Sequence, residues 1–253
     1  MSDRHAWLLL APLLLFFAVR AVQYALLRAA GENIPLDEHA RDRGESEWLG
    51  QGVQQLFIWA TEPMVRLVSA ARVGPNTLTV LCLVISAGAG VVIALEQVAT
   101  GGALVLLGSG LDNFDGRVAR RQGRQTRAGS FLDSTLDRYS EIGFLAGAAV
   151  LFRESVPLLV TCLLCLGSGG VVSYTRAKAE SLGASLKVGL MQRTERVLLF
   201  SVGAFFDPLC DPFLPEKLRA GHTVFASSLV LLAVLTTFTA VHRVFSGMSL
   251  LRR

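Results

Sequence analysis

The sequence predicts an all-α integral membrane protein: a bundle of six transmembrane helices, preceded by a juxtamembrane amphipathic helix and an extra N-terminal hydrophobic helix. Three observations carry this. Of 253 residues, 52% are hydrophobic and only 17% charged, with a mean hydropathy of +0.49, whereas soluble domains carry about a quarter charged residues. Apolar runs close to the ~20-residue spanning length recur along the chain. The connections between them alternate between basic and nearly free of positive charge, the asymmetry that orients polytopic proteins. The net charge of +4 is a poor basis for binding nucleic acid. Lys and Arg gather at the ends of apolar runs, where they set orientation and meet anionic lipid.

The chain divides into an N-terminal membrane anchor helix (1–28), a polar linker (29–47) and a membrane domain (48–253). The anchor opens with an apolar run from Trp7 to Val19, interrupted by Pro12 and followed by Arg20. A tilted span, an interfacial anchor and a cleaved signal all fit such a run. The leader MSDRH is only weakly basic and no small-x-small cleavage site follows, which favours a retained anchor. Between Glu47 and Arg72, apolar Val53, Leu56, Phe57, Met64, Leu67 and Val68 recur at helical spacing among polar residues. Trp48 and Trp59 suit a headgroup interface, so this helix lies on the membrane surface, with a break allowed at Pro63.

Six apolar segments follow: Leu78–Leu95, Ala99–Leu111, Phe131–Phe152, Val156–Tyr174, Val197–Phe206 and Val224–Val244. The second and fifth reach spanning length only by absorbing charged residues, which marks them as functional. Cys162 and Cys165 form a CxxC inside the apolar VTCLLCLG without nearby metal-binding partners, so the four cysteines read as packing residues. Basic connections at Arg66/Arg72, Arg117–Arg127 and Arg176–Arg196, with a basic tail, place these regions together on the cytoplasmic side of an inner membrane.

The stretch Asp112 to Asp137 stands out. Asp112, Asp115, Gly116 and Ala119 share one helical stripe, and Gly129, Asp133 and Asp137 another. Five arginines and Gly123 between them point to a turn. Two helices so joined aim four carboxylates at one another. They repel unless cations sit among them, and hard divalent ions with oxygen ligands fit best. A plain helix-end network with Arg117, Arg120 and Arg138 is the alternative use of these acids.

These residues fill the pattern DxxDGxxAR, eight residues, then GxxxDxxxD. The pattern resembles the signature of the CDP-alcohol phosphotransferase family of membrane enzymes, and GPNTLT at 74–79 resembles the family's entry to its first core helix. The likeness covers roughly residues 48–246. It implies a six-helix, homodimeric bundle in the lipid bilayer that uses two divalent metal ions, Mg²⁺ or Mn²⁺. Such enzymes join a CDP-linked donor, commonly CDP-diacylglycerol, to an alcohol and release CMP. By position, Asp112, Asp115, Asp133 and Asp137 would hold the metals, and Asp137 would also be the catalytic base. Gly116 and Arg120 would meet the cytidine nucleotide.

The segment SYTRAKAESLGASLKVGLMQRTER at 173–196 resembles SYxKARAE…ERPER of the phosphatidylinositol phosphate synthases and their archaeal counterparts. That likeness implies a basic pocket for a phosphorylated alcohol, inositol 1-phosphate first, made by Arg176, Lys178, Arg193, Arg196 and Arg243. The order of Arg176 and Lys178 is exchanged relative to the subgroup, and Thr194 replaces a proline. Glycerol 3-phosphate is the second acceptor candidate. Membrane prenyltransferases also use aspartates, but on well-separated helices and not in this DGxxAR context. A cation transporter would place its acids near the bilayer midplane on broken helices rather than at helix ends beside a basic turn.

Overall fold

The structure, a computed structural model, describes residues 4–32, 50–186, 188–210, 213–215 and 221–252. Most of the 29–47 linker, Trp48 and much of the connection up to Arg219 lie outside the described residues. Eight helices and no strand occur among the described residues: α1 (Arg4–Ala29), α2 (Gly50–Ala70), α3 (Pro75–Ala94), α4 (Val98–Arg121), α5 (Arg127–Leu151), α6 (Val156–Ser181), α7 (Arg193–Cys210) and α8 (Thr223–Leu251). Three of them, α3, α6 and α8, are long and apolar enough to cross a membrane. Helices α4, α5 and α7 carry carboxylates and arginines in or beside their apolar runs.

Glycine sets the tightest helix pair. A Cβ on Gly147 of α5 would sit 2.0 Å from the Gly90 carbonyl oxygen of α3, and one on Gly90 would sit 2.1 Å from that of Gly143. Only backbone fits there, as close packing in lipid favours. Beside this seam lies a buried core of Ile93, Leu145, Phe200, Phe225 and Leu229, with Phe200 between Phe144 and Phe225 at ring distances of 4.6 and 5.1 Å. Cys162 and Cys165 are buried in the same core, which is the packing role their setting suggests.

Helix α4 carries the first acid stripe and runs on to Arg121, so the turn is shorter than the arginine-rich stretch suggests. It pivots at Gly123, whose φ of +64° is left-handed. Thr126 then caps α5 by accepting from the Gly129 amide at 2.9 Å.

The break that Pro63 allows is not taken: α2 is continuous through it. Proline cannot donate to the carbonyl four residues earlier, that of Trp59. Arg20 of α1 does so instead, through Nη2 at 3.1 Å, and its guanidinium stacks 3.7 Å from the centroid of the Trp59 ring. The carbonyl is thus satisfied from outside the helix.

Candidate active site

Helices α4 and α5 bring the acids together as their stripes require. One carboxylate oxygen each from Asp112, Asp133 and Asp137 lies within 4.8 Å of the other two. Asp115, three residues beyond Asp112 on α4, is buried and lines the same cavity. Its Oδ2 accepts from Thr79 Oγ1 of α3 at 2.8 Å, and its Oδ1 from the Gly116 amide. Thr79 belongs to the GPNTLT stretch, so that stretch supplies an anchor for the acid site as well as a helix start.

Of the three arginines near these acids in sequence that could form a helix-end network, Arg117 and Arg138 bond elsewhere. Arg138 donates to the Ser134 carbonyl one turn back. Arg117 turns away to α2, donating to Thr61 Oγ1 at 2.6 Å, the Ile58 carbonyl at 2.9 Å and Glu62 at 2.7 Å. Arg193 of α7 enters instead. Its Nη1 donates to Asp112 Oδ2 at 2.6 Å, and its Nη2 pairs with Asp137 Oδ1 at 2.7 Å. The second contact lacks hydrogen-bond alignment, and Asp137 Oδ1 is buried without a hydrogen bond. A buried carboxylate oxygen left so, beside two converging ones, fits a hard cation better than it fits the fork of an arginine.

The acids open on a cavity of about 1160 Å³. Gly116 and Arg120 lie on its α4 wall, one and two turns beyond Asp112. Arg176, Arg193, Arg196 and Arg243 also line it, so four of the expected basic residues share a cavity with the acids. They are not equivalent, however. Arg196 is buried and forms a two-pronged ion pair with Glu141, at 2.6 and 2.8 Å, while its Nη1 holds the Met191 carbonyl. Gly169 makes room for this pair: a Cβ there would lie 3.0 Å from Glu141 Oε1. Arg243, also buried, donates to the carbonyls of Val188 and Val172 at 2.7 Å each. Arg176 is 42% exposed on its side chain and holds Glu180 at 2.9 Å, a bond that water readily replaces.

Lys178 stands apart from these four arginines. It is exposed and does not line the cavity, because two residues beyond Arg176 on a helix is about 200° around the axis. Glu141 was missed by the sequence reading although its signal was present. It continues the Gly129, Asp133, Asp137 stripe by one further turn. Glu62 was missed too. It gathers Arg66, Arg117 and Arg121 at 2.9, 2.7 and 2.5 Å and so clasps α2 to α4. Partial burial works to raise its pKa, but the three guanidinium groups prevail and hold it below the ordinary value of 4.5.

The family model for CDP-alcohol phosphatidyltransferases matches residues 72–206, which hold all four aspartates. This chain belongs to that family. It is therefore a phosphatidyltransferase of the membrane, and the prenyltransferase and transporter readings fall away. The enzyme is 39% identical over 171 residues to an archaetidylinositol phosphate synthase of Methanothermobacter thermautotrophicus, across 66% of this chain and 78% of the relative. It is 35% identical over 163 residues to a phosphatidylinositol phosphate synthase of Streptomyces avermitilis, across 62% of this chain and 67% of the relative. Its fold resembles the Mycobacterium tuberculosis phosphatidylinositol phosphate synthase with CDP-DAG bound, at a TM-score of 0.65 and 28% identity, covering 74% of this chain and 92% of that one. The same mycobacterial enzyme in complex with manganese and citrate matches at a TM-score of 0.66, covering 74% and 88%.

Proposed function

We propose that this phosphatidyltransferase transfers the phosphatidyl group of CDP-diacylglycerol to inositol 1-phosphate and releases CMP. One observation carries the reading: a single cavity is lined both by the acids Asp112, Asp133 and Asp137 and by the arginines Arg176 and Arg243. A site of that kind serves two substrates, a diphosphate beside acids that bind cations and a phosphate monoester beside arginines. Phosphatidylinositol phosphate synthases among the relatives support the same acceptor.

Asp112, Asp115, Asp133 and Asp137 would hold two divalent ions, Mg²⁺ or Mn²⁺. Such ions neutralise the diphosphate and stabilise CMP as it leaves. Arg120 and the backbone at Gly116, both on the cavity wall, would seat the cytidine nucleotide. Asp137 takes the proton of the acceptor hydroxyl. The hydroxyl oxygen bonds to the phosphatidyl phosphorus, the bond from that phosphorus to the CMP oxygen breaks, and CMP departs. Arg176, Arg193 and Arg243 would meet the acceptor phosphate, and Arg196 would position the site through Glu141. Six spans, a homodimer, an inner-membrane location with the site on the cytoplasmic side, and the partition into 1–28, 29–47 and 48–253 complete the proposal.

The test is an acceptor panel. Purified protein receives CDP-diacylglycerol, Mg²⁺ or Mn²⁺, and inositol 1-phosphate, glycerol 3-phosphate or free inositol, and the lipid product is weighed by mass spectrometry. Phosphatidylinositol phosphate is expected. Phosphatidylglycerophosphate as the main product would overturn the acceptor assignment and leave the transfer chemistry standing. Asp137→Asn should abolish CMP release in a folded protein, and substantial retained turnover would remove Asp137 as the base.

A further inference from the structure

Helices α1 and α2 lie outside the residues that the family model matches, yet both reach the active-site cavity. Leu14 and Phe17 of α1 line it, together with Val53, Phe57 and Met64 of α2 and Leu107 of α4. The wall they form is apolar, and it runs along α4 directly into the acids: Leu107 precedes Asp112 by five residues, about 7.5 Å of helix rise.

Helix α1 is held against this wall by specific contacts. Phe17 stacks on Phe57 at 5.6 Å with the rings nearly parallel, and Tyr24 packs on Trp59 at 5.4 Å. Arg20 occupies the carbonyl that Pro63 leaves open and covers the Trp59 ring. The side chains that face the cavity sit on the same face of α1, since Leu14, Phe17 and Arg20 follow at intervals of three.

We propose that α1 and α2 together form the seat of a donor acyl chain, so that the N-terminal helix sets which CDP-diacylglycerols the enzyme accepts. This rests on the phosphatidyl-transfer reading. The occupant follows from the continuity of the cavity. A molecule with its diphosphate at Asp112, Asp133 and Asp137 and its glycerol beside Leu111 must send hydrocarbon onward, and the adjoining wall is Leu107, Phe57 and Phe17. A polar acceptor gains nothing from that wall.

The experiment compares CDP-dioctanoylglycerol with CDP-dioleoylglycerol in mixed micelles, with CMP release as the readout. Leu14→Ala combined with Phe17→Ala should lower the long-to-short ratio of kcat/KM by about tenfold, the scale of a lost, partly buried large apolar contact. The acceptor KM should not move. Phe17→Trp, which narrows the wall without emptying it, should shift the ratio further toward the short chain. An equal change for both donors would overturn the acyl seat while leaving the transfer reaction intact. No CMP from either donor with the unmodified enzyme would overturn the reaction, and the seat with it.

Discussion

Replacing Arg193 by glutamine should tighten divalent-ion binding. The guanidinium makes one aligned, charge-assisted bond to Asp112 at 2.6 Å and one unaligned ion pair with Asp137 at 2.7 Å. A bond to a charged group contributes about 1.5–3 kcal/mol, and an unaligned, partly exposed pair adds under about 1 kcal/mol. An ion that binds Asp112 and Asp137 must displace these contacts, so their sum appears as a penalty on its affinity. Allowing for water that partly replaces the lost bonds, a penalty of about 2 kcal/mol corresponds to about thirtyfold in the dissociation constant. Glutamine keeps a similar reach without the charge. Titration of Mn²⁺ into metal-stripped protein in detergent, followed by calorimetry or electron paramagnetic resonance, measures the change. A second readout separates competition from simple damage. The stripped variant should melt lower than the unmodified protein, because the acids lose their counter-charge, and saturating Mn²⁺ should raise its Tm by more. Unchanged or weaker Mn²⁺ binding would refute the competition between Arg193 and the ion.

Three further predictions follow from separate contacts. Arg176→Gln should raise the acceptor KM about tenfold with little change in donor KM, because Arg176 holds only an exposed Glu180 otherwise; initial-rate kinetics with both substrates varied decide it. Gly147→Ala should lower Tm by several degrees, about 1–3 kcal/mol of overpacking, because its Cβ would meet the Gly90 carbonyl oxygen at 2.0 Å. Gly167→Ala, which meets nothing within 4 Å, should leave Tm unchanged. The folded pKa of Glu62 lies below 4.5, so its clasp is complete above that value and is lost as pH falls through the lower folded one. Glu62→Gln should abolish the acid-induced change in Trp59 fluorescence, measured with Trp7 and Trp48 replaced by phenylalanine.

The acid stripes were legible because they depend only on helical period: Asp112 and Asp115 on α4, and Asp133 and Asp137 on α5, lie where spacing puts them. Glu141 could have been read by the same rule. What could not be read is which arginine faces which acid. Arg196 meets Glu141 across 55 positions and Arg193 meets Asp112 across 81, and positive charge near a membrane interface is equally well explained by topology. The five cations expected in one pocket are therefore divided in the folded chain among a metal-site neighbour (Arg193), a buried ion pair (Arg196), a backbone clamp (Arg243), an exposed ion pair (Arg176) and an outlying lysine (Lys178). Whether α2 breaks at Pro63 was open for a related reason: local propensity takes no account of a guanidinium arriving from 39 positions away.

Pro63 has a consequence of opposite signs for two helices. Any other residue there would supply its own amide to Trp59 and make α2 a better helix in isolation. The same repair would compete with Arg20 for its one backbone carbonyl on α2 and leave that cation with the Trp59 ring and Gln23 of its own helix. Pro63→Ala is thus a substitution that stabilises the part and loosens the whole. What looks in α2 alone like a defect is the receptor to which the N-terminal helix is fitted.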